Sequence, residues 1–191
     1  MKILGVIFSY RERGNCANCI EYCLNEFKEN KHETEIINVF DFNINPCSDC
    51  DYVCFYNSEC PKDDGIDKII SKCIEADVII FALPTYRGHL ASNYFIFSER
   101  LQGFFKGEES YEKDFLEKVN MIIIGNLSSG GDMALHEALY AFINKTFYPE
   151  TILLSSRDFN RKSIYGDLIE DDLVKRRLNK FIENILKKTL Q

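Results

Sequence analysis

The sequence lacks the features of a membrane protein and of a nucleic-acid-binding protein. No apolar run approaches the roughly 20 residues that span a bilayer. The chain has 23 Lys and Arg and 30 Asp and Glu, which gives a formal net charge of −7. No basic surface is therefore expected for nucleic acid or an anionic membrane. The start of the chain, from Met1 to Phe8, is too short for a signal peptide. We therefore expect a cytoplasmic protein with small-molecule or protein partners, no nucleic acid and no membrane.

Nucleotide-binding motifs and internal repeats are also absent. The sequence contains neither a Walker loop nor Gly-x-Gly-x-x-Gly, which disfavours ATP and Rossmann-type NAD binding. No repeat or low-complexity linker divides the chain, and 191 residues suit one domain, because compact domains commonly have about 100 to 200 residues. We predict a single domain over residues 1–191.

Apolar runs alternate with helical patterns along the chain. Nearly unbroken apolar runs are typical of parallel strands that helices cover on both faces. Three such runs occupy residues 3–8, 78–83 and 121–124. A more polar run at 35–40 predicts a strand nearer the sheet edge, and 151–154 a short fifth strand. Helical periodicity predicts helices over 15–29, from Asp64, over 89–104, over 132–147 and over 167–190.

Five alternations of strand and helix predict a doubly wound α/β fold. The length suits a three-layer sandwich with a five-stranded parallel sheet in the order 2-1-3-4-5. Ligands of such folds bind beyond the carboxyl ends of the strands, where the strand order reverses. The candidate site is therefore formed by the loops that follow Phe8, Leu83 and Ile124.

The first of these loops has the composition of an anion site. Ser9, Arg11 and a Gly14-Asn15 turn precede a helix, whose first amides have no partner within the helix. We expect Asn15 to cap this helix, and Asp64 to cap the next one. An ordinary turn into a helix is the alternative reading of this loop.

The eight cysteines fall into two groups. Cys16, Cys19 and Cys23 share the apolar stripe of the first predicted helix, and Cys73 lies on that of the second, which predicts small buried core residues. The other group is Cys47-x2-Cys50-x3-Cys54-x5-Cys60, in a loop over residues 46–62. Short-spaced thiols in a reducing compartment favour a metal or redox centre over disulfides.

Three motifs of the chain resemble those of the NADPH-dependent FMN reductases and of their iron-sulfur flavoprotein branch. The motifs are Ser9-x-Arg11-x-x-Gly14-Asn15-Cys16, the run 84–88 followed by a helix with Glu99-Arg100, and the loop 125–131. Their order and spacing match over nearly the whole chain. The resemblance implies a flavodoxin-like fold that binds FMN.

The resemblance also implies which residues contact FMN. In the family the first loop contacts the phosphate, and the other two contact the ribityl chain and the flavin ring. The phosphate contacts are then Ser9, Arg11, Asn15, Cys16 and Ala17. The flavin contacts are then Pro84, Thr85, Tyr86, Arg87, Gly88, Asn126, Gly130 and Gly131. Cys16 stands where the family usually has Thr, so we expect somewhat weaker phosphate affinity.

In the iron-sulfur branch a compact cysteine motif binds a [4Fe-4S] cluster, which implies a set of metal ligands here. These are Cys47, Cys50, Cys54 and Cys60. The middle gap is three residues, where the branch usually has two, and Asp49, Asp51 and Glu59 add negative charge that would lower the potential or weaken the cluster. Zinc and free or redox-active thiols are the alternatives.

The activity implied by the resemblance is that of an FMN-dependent oxidoreductase. Electrons from NAD(P)H or a reduced carrier would pass through the flavin to a quinone, a nitro compound, a flavin or a redox protein. No catalytic side chain is assigned, because the flavin supplies the chemistry, and His89 is either close to the flavin edge or simply solvated. A flavodoxin-like carrier of single electrons and a zinc-stabilised domain without flavin are the rival hypotheses.

The resemblance further implies a homodimer or homotetramer, because in the family the cluster lies near the flavin of a neighbouring subunit. Aromatic residues would then contribute to the interface. The candidates are Tyr52, Phe55 and Tyr56 in the cysteine loop and Tyr94, Phe95 and Phe97 on the third predicted helix. Core packing is the alternative for the last three.

Overall fold

The three unbroken apolar runs form the centre of one sheet, as predicted. The computed structural model describes residues 1–48, 50–56, 60–106, 108–126 and 131–189. The strands in these ranges are Lys2–Ile7 (β1), Glu33–Asn38 (β2), Val78–Tyr86 (β3), His89–Leu90 (β4), Val119–Gly125 (β5) and Thr151–Ser155 (β6). Every residue of β5, and the first seven of β3, are buried, because helices cover both faces of these strands.

The five long strands run parallel in the predicted order. The sheet order is β2-β1-β3-β5-β6, which is 2-1-3-4-5 when the long strands alone are numbered. The more polar β2 lies at an edge, as its composition predicted. The two-residue β4, which was not predicted, pairs antiparallel with the end of β3 through Thr85–Leu90 and Tyr86–His89.

Helices cover both faces and complete a three-layer sandwich. The helices of the described ranges are Asn15–Glu29 (α1), Val53–Tyr56 (α2), Ile66–Glu75 (α3), Ser92–Phe105 (α4), Glu109–Lys118 (α5), Gly131–Leu139 (α6) and Asp172–Thr189 (α7). One buried cluster joins α1 and α7 to one face of the sheet. A second joins α3, α4, α5 and α6 to the other face. None of these helices has the length and apolar character needed to cross a bilayer.

Several helix boundaries differ from those predicted. The helix expected over 89–104 begins at Ser92, because His89 and Leu90 form β4. The helix expected over 132–147 ends at Leu139, where a 3-10 turn follows. Helix α5 was not predicted, since only its Phe115 and Leu116 are buried.

Both predicted helix caps are wrong by one residue. Gly14 is the N-cap of α1, so Asn15 is its first helical residue and makes no capping bond. Gly65, at φ 80°, is the N-cap of α3. Glycine fits there because it has no Cβ to oppose a positive φ. Asp64 Oδ1 accepts a 3.4 Å bond from the Ile66 amide of that helix.

The two groups of cysteines separate as the sequence predicted. Cys16, Cys19, Cys23 and Cys73 are at most 3% exposed. Burial raises the pKa of Cys19 and of Cys73 to about 12, so these thiols stay protonated at neutral pH. They act as small apolar core residues, and their spacing has no metal-binding meaning.

The aromatic residues proposed for an interface divide between core and surface. Tyr94 and Phe97 are buried and pack edge-on against Phe8, with ring centroids 5.7 and 5.6 Å away. Core packing is therefore their role in this chain. The rest of the set, Tyr52, Phe55, Tyr56 and Phe95, is exposed.

Candidate functional site

The three loops singled out from the sequence meet at one edge of the sheet. The Phe8 amide donates to the Ala82 carbonyl over 3.0 Å, which joins the first loop to β3. At the end of β5, a Cβ added to Gly125 would lie 3.1 Å from the Thr85 Cβ. The loops after β1, β3 and β5 are thus direct neighbours at the carboxyl edge, where α/β folds bind ligands.

The first loop leads to the N-terminus of α1. The Gly14 amide closes a turn onto the Arg11 carbonyl at 3.2 Å, and the Gly14 carbonyl accepts the first helical bond, from the Asn18 amide. The amides of residues 15, 16 and 17 therefore have no acceptor within the helix. Together with the helix dipole, they form an arrangement suited to an anion.

The Asn15 side chain faces the protein interior. It is 5% exposed, and its Oδ1 accepts from the Leu168 amide at 3.0 Å. Its Nδ2 donates to the Ser156 hydroxyl at 3.4 Å. Asn15 can therefore offer a ligand its main-chain amide, while its side chain joins α1 to the segment that precedes α7.

That segment, residues 156–170, supports the first loop at further points. The Asn18 Nδ2 donates to the Gly166 carbonyl at 2.7 Å. Arg11 donates from Nη1 to the Ser163 carbonyl at 3.0 Å. No periodic pattern predicts this support, because its bonds go to main-chain atoms that are 148 and 152 residues away along the chain.

Arg11 and Ser9 retain hydrogen-bonding capacity at the loop. A guanidinium has five N–H donors, and the Ser163 contact uses one donor of the exposed Arg11. Ser9 is 4% exposed, and its Oγ accepts from the Arg11 amide at 3.4 Å, which leaves the hydroxyl proton available. Both residues belong to the loop predicted to contact a phosphate.

The second loop is a tight hairpin between β3 and β4. Its central residues, Arg87 and Gly88, have φ of 53° and 92°, the positive pair typical of a type I′ turn. Tyr86 enters the hairpin with 54% of its surface exposed. The hairpin therefore presents an aromatic face beside the ends of β1 and β5.

A carboxylate of α6 fixes the far side of this hairpin. Glu137 Oε2 accepts from the Leu90 amide at 2.8 Å, and its Oε1 lies 2.7 Å from His89 Nδ1. Burial, followed by the charge of Glu137, raises the pKa of the neighbouring Tyr94 to about 12. His89 is thus exposed to solvent and also contacts Glu137.

The third loop is only partly described. Asn126 follows β5 directly and is half-buried. Gly130, a predicted flavin contact, lies outside the described residues, and Gly131 is known only as the first residue of α6. The loop begins after Gly125, the last residue of β5, which lies next to Thr85 of β3.

All four cysteines of the 46–62 loop line a single cavity of about 920 Å³. Helices α2 and α4 form its walls, and Cys54 lies against Gly103 of α4, where an added Cβ would be 3.1 Å from the Cys54 sulfur. Partial burial, followed by repulsion from Cys60, Cys50 and Cys47, raises the pKa of Cys54. Cys54 therefore lies close enough to the other three loop cysteines to be affected by their charge.

The thiols do not surround one point. Within the described ranges, which include all four loop cysteines, no three His, Cys, Asp or Glu side chains are arranged around a single metal ion. Tetrahedral zinc requires its donors about 2.0 to 2.3 Å from one centre. In the described residues, the four thiols share one cavity without being placed around one such centre.

Two adjacent residues of α4 attach the cysteine loop to the fold. Glu99 Oε2 accepts from the Cys47 amide at 3.2 Å. Arg100 donates from Nη2 to the Cys60 sulfur at 3.3 Å and from Nη1 to Asp64 Oδ2 at 2.7 Å. The motif Glu99-Arg100 was noted in the sequence, but these contacts were not predicted.

Arg100 and Asp64 form a buried ion pair, with side chains 3% and 6% exposed. Burial opposes both charges, but their mutual hydrogen bond and attraction outweigh it. The pKa of Arg100 is therefore raised, and that of Asp64 is lowered. The one sequence signal for this pair was a lone arginine among the apolar positions Phe97 and Leu101 of α4.

Comparison with characterised sequences finds relatives called iron-sulfur flavoproteins. The one from Methanocaldococcus jannaschii is 35% identical over 100 residues, which are 52% of this chain and 51% of that protein. The one from Methanosarcina thermophila is 36% identical over 89 residues, 47% of this chain and 46% of that protein. The matched part thus spans about half the length of these relatives.

Comparison with solved structures confirms the flavodoxin-like fold. A flavone reductase is 19% identical with a TM-score of 0.67, over 100% of this chain and 64% of its own. An FMN-dependent NADH-azoreductase from Bacillus anthracis, solved with FMN, is 13% identical with a TM-score of 0.61, over 99% and 100%. A flavodoxin from Pseudomonas aeruginosa is 10% identical with a TM-score of 0.54, over 100% of each chain.

The family assignment rests on a longer match. The NADPH-dependent FMN reductase family matches residues 1–159, which contain β1 through β6 and all three loops of the candidate site. This agrees with the resemblance drawn from the motifs at Ser9, Pro84 and Gly125. The chain therefore belongs to the NADPH-dependent FMN reductase family.

Proposed function

We propose that the chain is an FMN-dependent oxidoreductase that takes electrons from NAD(P)H and passes them to an acceptor. The observation that carries this proposal is the convergence of the loops after β1, β3 and β5 beside the N-terminus of α1. Membership of the NADPH-dependent FMN reductase family supports it. The acceptor we propose is a small molecule, such as a quinone or a flavin, or a redox protein.

The first loop would bind the FMN phosphate. The main-chain amides of Asn15, Cys16 and Ala17 point from the first turn of α1, and Ser9 and Arg11 add a hydroxyl and a charge. Cys16 is 3% exposed, so it contributes its amide and not its thiol. Three amides, one hydroxyl and one guanidinium would then be available to the phosphate despite the replacement of the family's usual Thr.

The second and third loops would orient the flavin. The residues proposed for this role are Pro84, Thr85, Tyr86, Arg87, Gly88, Asn126, Gly130 and Gly131. The fixed hairpin at Arg87 and Gly88 places the exposed ring of Tyr86 on one side of the site. Bound FMN would supply the chemistry of hydride transfer from the nicotinamide and of electron transfer to the acceptor. The chain's task is to position the ring with one face open to the nicotinamide.

We further propose that the cavity of the cysteine loop binds a [4Fe-4S] cluster. Four thiols line one cavity, and a [4Fe-4S] cluster is held by four cysteine thiolates. The ligands would be Cys47, Cys50, Cys54 and Cys60. The cluster would let the electrons leave the protein one at a time.

Reduction by NADPH tests the central proposal. We expect that anaerobic mixing of the FMN-loaded protein with NADPH in a stopped-flow instrument bleaches the flavin absorbance, because the open face admits the nicotinamide. Dithionite serves as the control, since it reduces any bound flavin without a binding site. Bleaching by dithionite without bleaching by NADPH or NADH would indicate a flavodoxin-like carrier instead.

Replacement of Arg11 tests the phosphate loop. We expect Arg11→Gln to weaken FMN binding about tenfold, because a lost charge-assisted hydrogen bond costs roughly 1.5 kcal/mol. Fluorescence titration of the apoprotein measures this affinity. Riboflavin, which lacks the phosphate, should bind both proteins equally.

The matched control is Arg13→Gln, which removes the same charge from an exposed residue of the same loop. It should leave FMN affinity within about twofold. An equal loss in both variants, or an equal loss for riboflavin, would contradict direct contact of Arg11 with the phosphate.

Metal analysis tests the cluster. We expect roughly four iron and four sulfide per chain after anaerobic purification, and loss of both in Cys50→Ala. Cys73→Ala is the control, because it removes a buried thiol of α3 that does not line the cavity. One zinc per chain without sulfide would contradict the cluster but leave the flavin proposal intact.

We also propose that the chain works as a homodimer or homotetramer. Tyr52, Phe55 and Tyr56 are 71%, 42% and 85% exposed beside the cysteine cavity, and exposed aromatic residues are enriched at protein interfaces. We expect light scattering to give a mass of two or four chains, and Tyr56→Lys to reduce it. Tyr111→Lys, at another exposed tyrosine, is the control, and a monomeric wild-type protein would contradict the proposal.

A further inference from the structure

We propose that Arg100 is a positioning residue for the cysteine cavity. Its guanidinium closes the cysteine loop, and its hydrogen bond to Cys60 raises the reduction potential of the metal centre. The proposal rests on the [4Fe-4S] cluster proposed above and goes beyond it. One guanidinium then both fixes the shape of the cavity and balances the negative charge at one ligand, Cys60.

Arg100 joins the two ends of the cysteine loop. On the near side, its Nη1 donates to the Asn45 carbonyl at 2.9 Å, two residues before Cys47. On the far side, the same nitrogen donates to Asp64 at 2.7 Å, four residues after Cys60. The Asn45 amide also donates to Asp64 Oδ2 at 2.9 Å. These bonds form a closed ring that fixes the base of the loop.

The second nitrogen of the guanidinium faces the cavity. Nη2 donates to the Cys60 sulfur at 3.3 Å and has a longer contact of 3.4 Å with Asp64 Oδ1. The planar fork thus bridges a carboxylate and a sulfur. A lysine cannot reproduce this geometry, because its ammonium is a single point charge.

Burial makes the bond to Cys60 effective. Arg100 is 5% exposed, and electrostatic interactions are stronger in surroundings from which water is excluded. Reduction adds one negative charge to a centre already bound by thiolates. A donor directed at a ligand sulfur stabilises that added charge, and hydrogen bonds to sulfur are among the factors that set cluster potentials. The bond therefore favours the reduced state.

The other cations of the cavity are less suited to this role. Lys106 lines the cavity but is exposed, and Lys62 donates to the Pro46 carbonyl. Solvent screens an exposed ammonium far more than a buried guanidinium. Lys106→Gln is therefore a charge control, because it removes one positive charge from the same cavity and leaves the bond from Arg100 to Cys60 in place.

The test compares the wild-type protein with Arg100→Lys, Arg100→Gln/Asp64→Asn and Lys106→Gln. The double variant avoids leaving the Asp64 carboxylate buried without its partner. Anaerobic redox titration followed by electron paramagnetic resonance gives the cluster potential. Iron and sulfide contents give its occupancy, and FMN content shows that the rest of the fold is intact.

We expect both Arg100 variants to lower the potential. The ratio of reduced to oxidised cluster at a fixed potential should fall about tenfold, which corresponds to about 59 mV for a one-electron couple. Lys106→Gln should change that ratio less than about threefold. An unchanged potential in both Arg100 variants would overturn the proposal, even if their iron content fell.

Hydrogen exchange of the apoprotein gives a readout that needs no metal. We expect residues 45–47 and 60–64 to exchange faster in both Arg100 variants than in the wild-type protein and in Lys106→Gln, because the ring of bonds at the base of the loop is broken. Equal exchange in all the proteins would overturn the loop-closing role. A wild-type protein without iron and sulfide would overturn the cluster and the potential effect together, whereas a normal cluster with unchanged potential would overturn the Arg100 proposal alone.

Discussion

Burial of the central strands on both faces is the constraint on which the rest of the structure depends. β1, β3 and β5 satisfy their main-chain groups by pairing with a neighbouring strand on each side, and apolar side chains on each face require a covering layer of helices. Parallel pairing then brings three successive strand ends to the same edge. The candidate flavin site is thus a consequence of how the core is buried, and its loops need only supply the chemistry.

The same constraint explains what the sequence could predict. Uninterrupted apolar runs identify β1, β3 and β5, and the alternation with helices gives the parallel order and the edge where the loops meet. By contrast, α5 buries only two apolar side chains, and β4 is too short for any periodicity. The helix caps were misplaced by one residue because Gly14 and Gly65 take positions where polar side chains were expected.

The contacts that shape the candidate sites were harder to predict, because they join distant parts of the chain. Arg100 pairs with Asp64 across 36 residues, and Asn15 pairs with Leu168 across 153 residues. Sequence patterns report the face of an element that is buried, but they do not report the partner of a buried polar group. Such groups must find partners, so an arginine or asparagine on an apolar face indicates a long-range contact without identifying it.

The bond between Asn15 and Leu168 makes the two ends of the chain thermodynamically interdependent. The family match ends at residue 159, yet the first turn of α1 is fixed by main-chain atoms beyond that point. The 160–170 segment therefore holds in place the first turn of α1, whose amides are the proposed contacts of an anion. Linkage is reciprocal, so an anion bound at α1 must stabilise the docked segment by the same free energy. A sequence change in this C-terminal segment can thus alter ligand affinity without touching the ligand.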